Sequence, residues 1–191
     1  MVANALEFLL STLLGLLTLA FLLRVYLQLT GAPFHNQLSQ AVVALTNFAV
    51  RPARRLIPSW GWLDTASLTL AFLTQLILQT LVLWLRDFPL LVAEPQVYFA
   101  LLALALLGLL KISLYIFLYA VILQAVMSWI NPHTVLAPVL DSLTRPLLRP
   151  LRRRMPYTGG VDLTPLIVFV LVELLLMLLV APLEQQLLQL F

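Results

Sequence analysis

Apolar residues run almost unbroken through four stretches, about 5–29, 66–86, 102–130 and 165–183, each with at most two charged side chains. A helix needs roughly 20 apolar residues to cross a hydrocarbon core of about 30 Å, so the pattern predicts four transmembrane helices. The third run is long, because apolar character begins near residue 98, and it predicts either a tilted, extended helix or a separate interfacial helix over 97–110. Between the first two runs the pattern changes. Asn36 can cap a helix on which Leu38, Val42, Leu45 and Ala49 recur at spacings of three and four, and Leu136, Leu140, Leu143 and Leu147 do the same between the last two runs. Each connection is expected to hold a short amphipathic helix lying on or dipping into the membrane surface, stopped by the Arg-Pro pair that follows.

Composition removes the soluble alternatives. Of 191 residues, 62% are hydrophobic and only 10% charged, against about 25% charged in soluble domains. The first run has no basic residue ahead of it and is expected to remain as a helix rather than be cleaved as a signal. There is no cysteine, which excludes disulfides, thiolate metal sites and iron–sulfur clusters. No metal or cofactor is expected.

Charge placement sets the orientation. Nine of the eleven basic residues are Arg24, Arg51, Arg54, Arg55, Arg145, Arg149, Arg152, Arg153 and Arg154, all within or near the two connections. The positive-inside rule makes both connections cytoplasmic and puts both termini outside. Trp60, Trp62, Trp129 and Tyr157 flank span ends as an aromatic belt, with Trp84 marking the opposite face.

The chain also repeats itself. A shift of 98 residues superposes Arg51, Pro52, Arg54, Arg55, Pro58, Gly61 and Asp64 on Arg149, Pro150, Arg152, Arg153, Pro156, Gly159 and Asp162, seven identities in fourteen positions. His35/His133, Thr46/Thr144 and Leu68/Leu166 extend the match. The unit is helix, basic connection, helix, so residues 1–96 and 97–191 form two parallel helical hairpins. The Pro-x-x-Gly pairs supply turns, and Asp64 and Asp162 stand where each can cap the next span and accept from an arginine. Anionic lipid head groups are the expected partners of the arginines, which either fix topology and bind lipid generically or form a specific head-group or protein site.

At these residues the chain resembles the YggT family of small bacterial membrane proteins with plastid relatives. The resemblance rests on the paired R-P-x-R-R-x-x-P-x-x-G-x-x-D segments, on Arg24 and Tyr26 upstream of the first, and on Trp129, Asn131, Pro132, Gly159, Gly160 and Asp162 in the second. It departs at the start of the first connection, where Pro33-Phe34 stands in place of Asn131-Pro132. The resemblance implies a non-enzymatic bacterial inner-membrane protein linked to osmotic-stress tolerance and potassium homeostasis. It equally implies a scaffold or assembly factor for cell division or membrane-complex biogenesis, with membrane-protein partners or a second copy.

Within the spans, Glu173 aligns with Gln75, and burying a lone charge there is costly. An ion pair between Arg24 and Glu173 is the expected relief, with Tyr26, Gln28, Gln75, Gln79, Gln124 and Ser128 completing a polar belt. That belt is either interhelical glue or an ion or proton pathway. Lys111 is expected to snorkel outward. No catalytic triad or Gly-rich phosphate loop is present, and basic residues confined to the membrane surface do not suggest nucleic-acid binding.

Overall fold

The computed structural model describes residues 2–131, 134–153 and 162–191; Pro132, His133, Tyr157 and the motif positions Pro156 and Gly159 lie outside them. It is an all-α membrane protein. Helix α1 (Val2–Leu29) ends at Gly31, whose positive φ of 64° turns the chain back. Helix α2 (Gln37–Leu56) is capped by Asn36, whose side chain accepts from the Leu38 amide. Helix α3 (Thr65–Leu85) begins at Asp64, which accepts from the Ser67 amide, and ends in a Schellman motif with Asp87 at φ 57° and the Phe88 amide donating to the Leu83 carbonyl.

Helix α4 (Pro95–Ile130) is continuous, so residues 97–110 form no separate helix. Its 36 residues extend about 54 Å, more than a bilayer's thickness, with proline in the first turn where no amide donor is needed. Helix α5 (Ala137–Arg152) mirrors α2, and α6 (Thr164–Leu175) passes through a π turn (Leu176–Val180) into α7 (Ala181–Leu188) as the fourth span. The π turn sits just before Pro182, whose missing amide and ring break the regular bond pattern of that turn.

Two expectations about the connections are corrected. Arg-Pro does not stop either helix: Pro52 lies inside α2, and Pro146 and Pro150 lie inside α5. All three prolines are exposed, so their rings lie on the outer faces of the two helices. The buried stripe of α2 is Ser39, Val42, Thr46 and Val50, whereas Leu45 faces out. Val42, Thr46 and Val50 correspond under the 98-residue shift to buried Leu140, Thr144 and Leu148.

The two connections lie at one end of the bundle, where the Asn36 side chain donates to the Val135 carbonyl. Leu27, Val42, Val139, Leu140 and Leu143 form a shared apolar cluster there. Above it, Phe21, Leu22, Val50, Ala71 and Ile116 join α1 to α4, and Leu118, Val121, Leu148, Val168 and Val172 join α4, α5 and α6. Helix α3 packs between α1 and α4; α6 packs on α4 and α5. This difference in position decides how the two copies' polar residues are used.

Candidate functional site

The strongest polar constellation is built on Asp64, a side chain with no exposed surface at the N-terminus of α3. Its Oδ2 accepts from Arg54 Nη2 at 2.7 Å and from Ser67 Oγ at 2.7 Å, and lies 3.4 Å from Arg24 Nε. Arg24 also donates through Nη1 to Thr46 Oγ1 at 2.8 Å and to Asn47 Oδ1 at 3.0 Å. One carboxylate and two guanidiniums therefore tie α1, α2 and α3 together at the connection end. The placement follows from local chemistry: an aspartate caps a helix by accepting from its first amides, and α2 presents Thr46 on its buried face.

Burial pushes the Asp64 carboxyl up, but the hydrogen bonds from Arg54 and Ser67 outweigh it and hold it below the usual carboxylate range. Such a site keeps its proton off at neutral pH. Geometrically it is a charged clamp on three helices.

The second copy is assembled differently. Asp162 lies below the usual range too: partial burial raises it, and bonds from Thr164 and then Arg152 outweigh that. Its pair with Arg152, at 2.7 Å, is open to solvent, the two side chains being 49% and 43% exposed. Ile122 stands where the first copy has Arg24. Thr144, the counterpart of Thr46, donates instead to Gln124 Oε1 at 2.5 Å.

The expected Arg24–Glu173 pair does not form. Arg24 is only five residues from the end of α1, at the depth of the Asp64 cap, whereas Glu173 is nine residues into α6, about 13 Å deeper in. Glu173 is exposed on the outer face of α6 and makes no hydrogen bond or ion pair with a described residue. Its counterpart Gln75 is buried against α4, where a side chain at Gly108 would meet Gln75 Oε1 at 2.7 Å. Lys111 pairs with Glu184 on α7 at 2.8 Å. Tyr26 packs edge-on against Phe117, with ring centroids 4.8 Å apart. The belt is thus several local contacts, not one chain.

Among the motif residues, Arg51, Pro52, Arg55, Arg149, Pro150 and Arg153 are exposed around the connection helices. Gly61, at φ 59°, makes the turn in which the Pro58 carbonyl accepts from Thr65 Oγ1 at 2.8 Å. Thr46, Asn47 and Ser67 are the site residues that sequence reasoning missed. For Thr46 the signal was present, since it follows Val42 by one helical turn and repeats as Thr144.

The sequence matches the CCB3/YggT family over residues 3–85 and 103–183, one segment for each copy. The chain belongs to the CCB3/YggT family. It is 39% identical over 170 residues to the uncharacterized protein YggT of Escherichia coli, covering 88% of this chain and 85% of that one. An uncharacterized protein of Pseudomonas aeruginosa is 36% identical over 175 residues, covering 91% and 87%. A third uncharacterized relative, from Vibrio alginolyticus, is 34% identical over 170 residues, covering 87% and 89%. No solved structure matches the chain.

Proposed function

We propose that the chain is a non-enzymatic scaffold of the bacterial inner membrane that works through its two arginine-rich connections, held in the cytoplasm with both termini outside. Osmotic-stress tolerance and potassium homeostasis are then reached through the membrane complexes it supports. The observation that carries this reading is the local closure of the polar groups. Arg24 is occupied by Asp64, Thr46 and Asn47, Gln124 by Thr144, and Lys111 by Glu184. The connections leave Arg51, Arg55, Arg149 and Arg153 exposed, which is the surface a partner would read.

Ion movement through the chain itself is the second reading, favoured by Glu173, a carboxylate on the lipid-facing side of a span. Several copies turned toward one axis would bring these carboxylates together.

Potassium and proton flux into liposomes holding the purified protein separates the two. A scaffold gives no flux above empty liposomes, and a deletion strain is rescued under osmotic stress by Glu173→Gln but not by Arg149→Gln with Arg153→Gln. Flux that Glu173→Gln abolishes in a folded protein overturns the scaffold reading. With no native cysteine, single cysteines at 55 and 153 test the orientation by labelling only from the cytoplasmic side.

A further inference from the structure

At the second connection the uncharged Ile122 stands where the first copy has Arg24. A groove of about 760 Å³ runs beside Ile122, Trp129, Leu166 and Phe169, where the last turns of α4 meet the first turns of α6. Arg152 and Leu148 line it, and the same two residues line a second cavity of about 560 Å³ that also holds Arg145, Arg149 and Arg153. The two cavities thus meet at Leu148 and Arg152 on α5, the apolar one also lined by Asp162 and the cationic one by Asp141.

Among the described residues this charge is only half neutralised. Asp141 pairs with Arg145 and Asp162 with Arg152, while Arg149 and Arg153 make no hydrogen bond or ion pair with a described residue. Two uncompensated cations at the mouth of an apolar trough fit a molecule that is anionic at one end and apolar along the rest. A guanidinium presents two parallel donors to a phosphate, and an acyl chain needs only apolar walls.

We propose that the second connection binds one anionic phospholipid, its phosphodiester between Arg149 and Arg153 and one acyl chain along Ile122 and Phe169. The first copy is closed to such a ligand because Arg24 and Asp64 fill the corresponding position with a charged pair of their own. The site stands whether or not the scaffold reading does.

Trp129 lines the groove and reports on it directly. The full chain carrying Trp60→Phe, Trp62→Phe and Trp84→Phe is placed in phosphatidylcholine vesicles containing a minor fraction of brominated phosphatidylglycerol or, separately, brominated phosphatidylcholine. Quenching of Trp129 is expected to show a roughly 30-fold preference for the anionic lipid, from two arginines acting near the surface. Arg149→Gln with Arg153→Gln removes that preference and leaves the melting temperature unchanged, since both side chains are exposed. Ile122→Phe weakens it too, by narrowing the groove that takes the acyl chain. Arg51→Gln with Arg55→Gln leaves it intact. Equal quenching by the two lipids overturns the proposal, as does an equal loss on changing Arg51 and Arg55, which indicates surface potential alone. Relief of quenching by inorganic phosphate with Arg149 and Arg153 present, but without any effect of Ile122→Phe, overturns the lipid assignment in favour of a bare anion site.

Discussion

Asp64 and Asp162 occupy the same place in the two copies, yet one side chain has no exposed surface and the other is 43% exposed. The aspartates, the partner arginines ten residues earlier and the following helices all correspond. What differs is the neighbour: Arg24 in the first copy, Ile122 in the second, and a helix packed against three others where its counterpart packs on two. Burial of a charge is thus a property of the packing around a motif, not of the motif. The same motif becomes a structural clamp in one copy and an open cationic surface in the other.

Removing the two carboxylates is the harshest way to break this comparison. Asp64→Ala leaves Arg24 buried without its counter-charge and is expected to cost about 3–5 kcal/mol in detergent unfolding. Asp162→Ala breaks a solvated pair and costs about 0–1 kcal/mol. Equal losses would mean that both copies depend on the clamp. Acid sharpens the same contrast. A carboxyl with a depressed folded pKa contributes stability that is fully present above its unfolded value of about 3.9 and is lost as pH falls through the folded value. Melting temperature should therefore fall below about pH 4, and Asp64→Asn should remove more of that dependence than Asp162→Asn.

A smaller effect is expected where α3 meets α4. Gly108→Val drives a side chain into Gln75 and should cost about 1–3 kcal/mol, most of it recovered by adding Gln75→Ala. Thr144→Val, which removes one bond to Gln124, should cost about 0.6 kcal/mol. Smallest of all, Glu173→Gln should change monomer stability by less than about 0.5 kcal/mol, because the side chain touches no described polar group. A larger change at Glu173 that grows with protein concentration would reveal a partner on that face.

The spans were legible because a run of about 20 apolar residues has few other uses. The repeat was legible because proline, glycine and arginine recur at fixed spacing. The Asp64–Arg54 contact followed from its sequence proximity, ten residues across one turn. The partner of Arg24 was not legible. The cost of a lone charge says that a partner is needed but not which one, and Arg24, five residues from the end of α1, finds it in the nearby cap of α3. Glu173 shows the same limit: it lies one residue beyond buried Val172, and that rotation of about 100° turns it outward. The Arg-Pro pairs misled because a proline on an exposed helical face can be carried through a helix that is held by packing on its other face.

The loop between Leu85 and Pro95 has a consequence for descent as well as for shape. Two separate hairpins forming a symmetric pair would carry every substitution twice, so an arginine at one inner position would appear at both. Covalent joining fixes the ratio at one to one and lets each half mutate alone. Position 24 holds a cation while position 122 holds a hydrocarbon, and the side chain of Asn36 reaches Val135 across the seam. The molecule behaves as two unlike partners written in a single reading frame, one with its aspartate sealed against two arginines and the other with its aspartate open to solvent.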